Sequence, residues 1–488
     1  MKSKKVTHKQ QATSAKSSQP AAGTSEPGAI VTAWAKARER LEQALRSAGR
    51  DPAEAAVIVA RMKAARQGTA ADELAVYVEI KPMYAGLVKD GREEFESGLV
   101  ALCAEKALVH LRVDDAAGAI REYDQVIAIQ ERWVKQHSRP DLAADLAVVY
   151  IGKAMAIRLA GDNQGAVALY DRALAILENL VHKEGRRDML KDLACAYNGK
   201  GAMVSLDNHS DAIALYDQAI EILERLVRKD GRVEFGGSLA MVFSNKAAVL
   251  RDLNDDRGAV ELYDKEIDIW ENVVSNAVLG KRAFELAKAY LNKAVLIGPP
   301  GDNLGVAVLC DRAIIILERL ASGKADPEVS HELAKAYRYN ASAANLLGQP
   351  RVSVTLIAKA ITILERLFEM EGRRQWADDL ADAYSDAAVQ ARALDDHRGA
   401  EAYYSRAIAI LAPLVDQEGR HELAFALGRT KANRGETLIA LGEKVEGLDD
   451  LRSARLILRA EFLRTGQDEV NRFLGRVEQQ IAENLPSE

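Results

Sequence analysis

The sequence has few cysteines and lacks a long apolar run. Its 488 residues include three cysteines, Cys103, Cys195 and Cys310, which lie far apart and form no CxxC pair. An odd number of widely spaced cysteines favours a reducing compartment, so we expect a cytoplasmic protein in which these cysteines serve packing. The sequence has no run of about eighteen apolar residues, the minimum for a membrane-spanning helix. The lysines near the N-terminus are not followed by the apolar stretch of a secretion signal either.

The common catalytic motifs are also missing. The sequence has no phosphate-binding loop and no GxGxxG, HExxH or GxSxG motif. Its eight histidines are scattered and have no spacing typical of metal ligands: His8, His110, His137, His182, His209, His331, His397 and His421. We therefore expect no enzymatic activity, no metal and no cofactor. Aromatic residues make up only 5% of the chain, which fits helices packed through Ala, Leu and Ile.

Charge is unevenly distributed along the chain. The net charge is −6, yet the first thirty residues carry five lysines and a single acid, Glu26. The remainder is therefore mildly acidic, which argues against a nucleic-acid groove. Residues 1–27 are rich in Ser, Thr, Gln, Lys and Pro and have little to bury, so we predict a disordered basic tail there.

A helix centred on an apolar residue recurs throughout the rest of the chain. The position of Tyr170 returns every 46 or 47 residues, as Tyr123, Tyr170, Tyr216, Tyr263, Cys310, Ile357, Tyr404 and Leu451. A small residue recurs with the same period, as Ala107, Ala154, Gly201, Ala247, Ala294, Ala341, Ala388 and Gly435. A small residue at a fixed place predicts a close crossing of two helices in each repeat.

Residues 145–180 show one repeat as two helices joined by a turn. In the first helix, residues four and three apart form one face, and in the second helix the same is true. Gly161 and Asp162 predict the turn, because glycine accepts the left-handed cap conformation and aspartate suits the start of a turn. The face residues are Tyr150, Ala154 and Ile157, then Ala166, Tyr170, Ala173 and Leu177.

These spacings resemble the tetratricopeptide repeat, whose pattern is W-x2-L-G-x2-Y, then A-x3-F, then P. The closing proline is missing, and the period exceeds the family's 34 residues by about thirteen. The resemblance implies an all-α fold, a right-handed α-solenoid of helix-turn-helix repeats with about twenty helices. We expect longer helices that continue past the glutamate column Glu131, Glu178, Glu224, Glu271, Glu318 and Glu365.

Glycine followed by a basic residue predicts where each second helix ends. The pairs are Gly91-Arg92, Gly185-Arg186, Gly231-Arg232, Gly280-Lys281, Gly372-Arg373 and Gly419-Arg420. Two places break the pattern. Pro413 is expected to end or kink the seventh second helix, and the segment 298–301, Gly-Pro-Pro-Gly, is expected to form a rigid loop.

The predicted domain organisation has four parts. Residues 1–27 form the tail, and residues 28–93 form an N-terminal helical cap with a degenerate repeat, including helices at 28–48, 52–66 and 71–89. Residues 94–466 hold eight repeats, and residues 467–488 hold a C-terminal capping helix. In the segment 28–48, Ile30, Trp34, Leu41 and Leu45 fall on one side.

Two columns of charge run through the repeats. We interpret the glutamates as inter-repeat ion-pair partners of the neighbouring Arg132, Arg225, Arg319 and Arg366 on a solvated face. Lys106, Lys153, Lys200, Lys246 and Lys293 form a second column. Their stems should cover apolar surface while the amines reach water, with a ligand role as the alternative.

A further set of polar residues lies on the first helices of the later repeats. Asn245 and Asn292 are equivalent, Lys288 precedes Asn292 by four residues, and Lys335 is equivalent to Lys288. In tetratricopeptide proteins that bind peptide C-termini, asparagine and lysine at such places clamp the terminal carboxylates. The resemblance therefore implies a peptide-binding or partner-binding set that also includes Arg429 and Asn433; solvated or structural roles are the alternative. Tyr339 stands where a second cation is often found, and Asp382 with Asp386 inverts the charge.

The sequence thus predicts a non-enzymatic scaffold or adaptor that binds a peptide or partner protein in the concave groove of a superhelix. An acidic segment or C-terminus would suit the lysines, and no nucleic acid or membrane partner is expected. The alternative is a regulatory or sensor subunit of a separate effector enzyme, such as a protease or nuclease in a bacterial defence or signalling complex. The repeat signature is informative about fold and says little about function.

Overall fold

A computed structural model describes residues 69–89, 96–137, 140–275, 280–299, 301–322, 326–370, 372 and 374–484. Within these ranges the secondary structure is helical, with no strand. The predicted tail and the predicted helices at 28–48 and 52–66 lie outside the described residues, as does Gly91. The predicted helix at 71–89 corresponds to α1, Ala70–Lys89.

Eight pairs of antiparallel helices follow α1, and one helix follows them. The first helices of the pairs are α2 (Glu96–Arg112), α4 (Pro140–Leu159), α6 (Leu190–Val204), α8 (Gly236–Asp252), α10 (Lys281–Ile297), α12 (Pro327–Leu346), α14 (Ala377–Ala393) and α16 (Ala424–Ala440). The second helices are α3 (Ala116–His137), α5 (Asn163–Glu178), α7 (His209–Glu224), α9 (Asp256–Ser275), α11 (Asn303–Ala321), α13 (Pro350–Glu365), α15 (His397–Asp416) and α17 (Lys444–Thr465). The final helix is α18, Asp468–Asn484.

The chain divides into two compact units, with the boundary inside α9 between Ile269 and Trp270. In both units most helices pack on the next one along the chain, and several successive first helices touch as well, including α4 with α6 and α12 with α14. The described part of the chain is therefore all-α, and within each unit the helix pairs stack as in tetratricopeptide-like repeats. We call the surface formed by the first helices the first-helix face.

The core residues are those that recur in the sequence. The small residue at the helix crossing is buried in every pair, and the residue at the Tyr170 position is at most 3% exposed. Close approach is needed at Gly201, where an added Cβ would lie 2.9 Å from the Tyr216 ring. The regular positions thus set the distance between helices.

A hydrogen bond from a first-helix tyrosine to the glutamate column joins successive pairs. Tyr150 donates to Glu131 at 2.6 Å and Tyr197 donates to Glu178 at 2.7 Å. The same bond joins Tyr290 to Glu271, Tyr337 to Glu318 and Tyr384 to Glu365. We call this series the tyrosine ladder.

A cation from the following second helix covers most of these rings. Arg172 lies over Tyr150, Arg312 over Tyr290, Lys359 over Tyr337 and Arg406 over Tyr384. These cations also approach the ladder glutamates, as in the 3.5 Å pair between Arg172 and Glu131. The predicted partners were different residues: Arg132 pairs with Glu96, and Arg366 donates to Ser330. The glutamates therefore contact the next helix pair, as predicted. Their partners are a tyrosine and a cation farther along the chain instead of the neighbouring arginines.

The lysine column is paired as well. Lys153 binds Asp124 at 2.6 Å, Lys200 binds Asp171 at 2.7 Å and Lys246 binds Asp217 at 2.6 Å. Each of these pairs joins a first helix to the second helix before it. The lysine amines are thus held by carboxylates, and the expectation that they simply reach water is incomplete.

The ends of the second helices differ from the prediction in one respect. Gly185, Gly231, Gly372 and Gly419 have positive φ of 63° to 69°, as expected of left-handed caps. Gly280 instead has an extended backbone with φ 179° directly before α10, so it does not form such a cap. Three second helices end in a π-helical turn that buries one leucine: Asn179–Lys183, Arg225–Lys229 and Arg366–Met370.

Of the two expectations for Pro413, an early end of the helix or a kink, the early end is wrong. Pro413 lies inside α15, which continues to Asp416. At the other irregular place α10 ends at Ile297, and Gly301 takes φ +102°, which fits the predicted loop.

Candidate functional site

The predicted binding residues all lie on first helices. Asn245 is on α8 in the N-terminal unit, Lys288 and Asn292 are on α10, Lys335 is on α12, and Arg429 with Asn433 is on α16. Because Asn245 belongs to a different unit from the rest, we describe its surroundings separately.

The two lysines have acidic partners on their own helices. The Lys335 amine lies 3.0 Å from Glu332, and the Lys288 amine lies 3.4 Å from Glu285 and 5.6 Å from the centre of the Phe284 ring. Burial alone would lower the pKa of Lys335, but Glu332, together with Tyr339 and Asp379, outweighs burial and raises this pKa above the usual value. Lys335 is therefore a charged group whose charge is already partly balanced.

The three asparagines differ in their hydrogen bonding. Asn245 is only 9% exposed, and its side-chain amide donates to the Asn198 side-chain oxygen of α6 at 3.0 Å. Asn292 and Asn433 are half-buried, and within the described ranges their side chains have no hydrogen-bond partner. An amide in this state can donate to, and accept from, a peptide backbone.

A dense group of charges surrounds Arg338 on α12. Its guanidinium lies 3.1 Å from Asp386, 3.2 Å from Asp379 and 3.4 Å from Asp382, three residues that share one face of α14. The Arg338 side chain is 12% exposed, whereas those of Asp382 and Asp386 are 42% and 47% exposed. We call these four residues the Arg338 cluster.

His331 and Arg429 extend the cluster on either side. His331 lies 2.7 Å from Asp379 through Nε2, and its ring stacks on Trp376 with centroids 4.5 Å apart. On α16, Arg429 lies 3.4 Å from Asp382. Three successive first helices of the C-terminal unit are therefore linked by charged side chains.

The electrostatics of the cluster follow from its shared cation. Burial would raise the pKa of Asp379, but the hydrogen bond from His331 and the charges of His331 and Arg338 lower it below the usual range. Burial also opposes the charge of Arg338, and the three carboxylates outweigh it, so the pKa of Arg338 is raised. Asp379 and Arg338 thus stabilise each other in their charged forms.

The sequence pattern identifies Asp382 and Asp386 as charged residues of this face, but it does not identify Arg338, His331 and Asp379 as their neighbours in the cluster. A signal was present at Arg338, since the residue that follows the ladder tyrosine is Ile151 in α4, Asn198 in α6 and Leu291 in α10. An arginine at a position that is elsewhere uncharged indicates a specific partner.

The described residues contain no group of His, Cys, Asp and Glu arranged to hold a metal ion. In the same residues, no helix combines the length and apolar character needed to cross a membrane. The cysteines Cys103, Cys195 and Cys310 are free thiols. Burial raises the pKa of the Cys195 thiol to about 11, so this thiol is neutral near pH 7.

The sequence matches no protein-family model and no curated protein. Among solved structures, the signal-transduction ATPase with a tetratricopeptide repeat sensor from Pyrococcus horikoshii is 13% identical, with a TM-score of 0.49 over 83% of this chain and 55% of that one. The apo form of RapI is 12% identical, with a TM-score of 0.47 over 79% of this chain and 98% of that one. The apo quorum sensor NprR from B. thuringiensis is 13% identical, with a TM-score of 0.45 over 79% of this chain and 97% of that one.

Proposed function

We propose that this protein is a non-enzymatic scaffold that binds a peptide or a partner protein on its first-helix face. The observation that carries the proposal is the Arg338 cluster, in which a largely buried arginine holds three carboxylates whose outer members remain half exposed. Such a cluster adds little net stability to a helix stack, because burial of the charges costs about as much as their attraction returns. Its presence on the exposed face favours a role in recognition.

The partner of the C-terminal unit would have a polar or charged surface. Asp382 and Asp386 can accept hydrogen bonds from a cation or from backbone amides of a partner. Lys288, Asn292 and Lys335 would hold an acidic segment or a C-terminal carboxylate, with Arg429 and Asn433 as a second site of the same chemistry. Glu285 and Glu332 have to release their lysines for this, which lowers the gain from each contact.

The proposal can be tested with a displayed library of random peptides that have free C-termini. The wild-type chain is expected to enrich a defined peptide class, and Lys288→Glu with Lys335→Glu should lower affinity for it at least tenfold. This magnitude corresponds to the loss of one or two charge-assisted hydrogen bonds, each about 1.5–3 kcal/mol. Reversal of Arg429 should have a smaller effect, because the carboxylates of Asp382 and Asp386 separate it from the two lysines.

One outcome would contradict the proposal, and another would move the binding site within the same face. Failure of the wild-type chain to enrich any class would argue against peptide binding by this face. Enrichment that survives the double reversal but is lost in Arg338→Met would retain the scaffold function and assign binding to the Arg338 cluster. Far-UV circular dichroism must show unchanged helix content in every variant.

A further inference from the structure

The two edges of the N-terminal unit differ in their exposed side chains. The loops that join a second helix to the next first helix carry ion pairs, such as Arg187 with Asp230 and Arg186 with Asp188. The turns that join a first helix to its own second helix lie at the opposite edge, because the helices are antiparallel. We call this opposite edge the turn edge.

Each of the four turns of the N-terminal unit exposes a large apolar side chain. Val113, Leu159, Leu206 and Leu253 are 44%, 43%, 61% and 47% exposed. One such residue on a soluble protein is ordinary, but a row along one edge marks an interaction surface. Since packed helices lie about 8–10 Å apart, the row should offer one apolar contact roughly every 10 Å.

Exposed acids surround this row. Asp162, Asp207 and Asp252 lie within three residues of the leucines, and further exposed acids in the turns are Asp114, Asp211, Asp255 and Asp256. Few exposed cations balance them, chiefly Arg112, which pairs with Glu73, and Arg257, which pairs with Glu261. The surface is therefore apolar and acidic, and it suits a segment that is apolar and basic.

The chain itself contains a segment of that kind outside the described residues. On a helix of 3.6 residues per turn, Ile30, Trp34, Leu41 and Leu45 would share one face. Residues 28–50 carry five cations against two acids: Lys36, Arg38, Arg40, Arg46 and Arg50, with Glu39 and Glu42. Trp34 and Leu41 are seven residues apart, about 10 Å along a helix at 1.5 Å per residue, which matches the expected spacing of the turns.

The chain length also allows this contact. The segment joins the N-terminal unit through residues 51–68, which lead directly into α1. Eighteen residues can span up to about 60 Å when extended, whereas four neighbouring repeats extend over roughly 30 Å. The tether therefore brings the segment within reach of every turn and raises its effective concentration there.

We propose that residues 28–50 dock on the turn edge of the N-terminal unit as an amphipathic helix, with Trp34 and Leu41 on the exposed leucines and the basic residues beside the aspartates. This contact involves a different surface from the first-helix face. It would leave that face open while the turn edge is covered by the chain's own segment.

Limited trypsin digestion of the full-length protein tests the proposal, because the segment carries its own cleavage sites. Cleavage after Arg38 and Arg40, followed by intact-mass spectrometry, should be slow relative to cleavage after Lys9 and Lys16 of the same molecule. Leu206→Asp with Leu253→Asp should accelerate cleavage after Arg38 and Arg40 at least tenfold. Higher ionic strength should also accelerate it, since salt screens the charge attraction.

Leu394→Asp provides the matched control, since Leu394 occupies the equivalent turn position in the C-terminal unit and is 48% exposed. This variant should leave the cleavage rate unchanged. Equal rates in the wild type and the Leu206→Asp, Leu253→Asp variant would overturn the proposal. So would release of the segment by Val78→Asp alone, which would place it on α1, or protection that depends on protein concentration, which would indicate docking on a second copy.

Discussion

The two units use the same repeat framework but present different first-helix faces. Two residues before the ladder position, which is aromatic in α4 to α14 and is Lys431 in α16, the N-terminal unit has Val148, Cys195 and Met241. At the same place the C-terminal unit has Lys288, Lys335, Asp382 and Arg429. The small residue at the helix crossing and the ladder tyrosine are buried in both units. The comparison indicates that the framework sets the stacking, while the face is free to vary in charge. Recognition by charged groups is therefore expected of the C-terminal unit.

Among the changes that test this difference between the two units, removal of the Arg338 cation should have the largest effect on stability. Arg338→Met would leave three carboxylates together without a counter-charge, and we expect a loss of about 3 kcal/mol in unfolding free energy near pH 7. This value is at the low end for a buried pair because Asp382 and Asp386 are half exposed. Chemical denaturation followed by circular dichroism measures the change.

The pH dependence of this loss has a definite sign. The pKa of Asp379 is lowered in the folded wild type, so its contribution to stability is present above its unfolded pKa, near 4, and is lost as the pH falls through the folded value. The difference between Arg338→Met and the wild type should therefore shrink on acidification to about pH 3. Asn198→Met, at the equivalent place in the N-terminal unit, should cost about 1 kcal/mol with no such pH dependence. Equal, pH-independent losses in both variants would mean that the cluster has no electrostatic role.

The tyrosine ladder occurs in both units, so its contribution to stability can be compared between them. Tyr197→Phe in the N-terminal unit and Tyr337→Phe in the C-terminal unit each remove a hydrogen bond to a ladder glutamate, so each should cost about 1–2 kcal/mol. Similar costs are expected because the framework is the same. A cost confined to one unit, measured by the same denaturation experiment, would show that the ladder is structural in that unit alone.

Phe243 provides the reverse experiment, because it occupies the ladder position in α8 with Glu224 at the place of the acceptor. Phe243→Tyr should restore the bond and change stability by between zero and about +1 kcal/mol. The Phe243 side chain is 1% exposed, so the new hydroxyl has to reach Glu224 to avoid an unpaired buried donor. Destabilisation by more than about 1 kcal/mol would show that the acceptor is out of reach.

The sequence predicted the helix pairs well because its signals for them are local. Period, small residues and capping glycines act within one pair, and Gly185 and Gly231 take the expected left-handed conformation. The π-helical turns were not predicted, since such a turn widens a helix without requiring a particular residue type. The expectations of a left-handed cap at Gly280 and of an early helix end at Pro413 were wrong because each residue also fits another conformation. Gly280 has an extended backbone directly before a helix, and Pro413 lies inside a helix, where proline is tolerated at a local cost.

The Arg338 cluster could not be predicted for a different reason. Arg338 and Asp386 are 48 residues apart on neighbouring first helices, and their contact depends on the offset between those helices. In the N-terminal unit Asn198 and Asn245 are 47 residues apart, where the local repeat period is 46, so in both units the contact is offset by one residue from the equivalent position. One known contact between neighbouring first helices therefore gives the register of the other first-helix contacts. The sequence alone does not contain this offset.

The smallest expected effect concerns the lysine column within the N-terminal unit. The Lys106 amine lies 2.8 Å from Glu122, a side chain only 7% exposed, whereas Lys153 pairs with Asp124, which is 54% exposed. Lys106→Met should cost about 1 kcal/mol, and Lys153→Met at most about 0.5 kcal/mol, since exposed pairs contribute little. Lys81 also binds Glu122 and limits the first loss.

Acid titration distinguishes the two lysines further. Burial would raise the pKa of Glu122, but Lys106 and Lys81 lower it below the usual value. The pair therefore stabilises the fold above the unfolded pKa of a glutamate, about 4.3, and this contribution disappears as the pH falls through the folded value. The difference between Lys106→Met and the wild type should accordingly vanish on acidification, while Lys153→Met should stay close to the wild type throughout. If both variants lose the same small amount at every pH, Glu122 is satisfied by Lys81 alone and the lysine column acts in packing only.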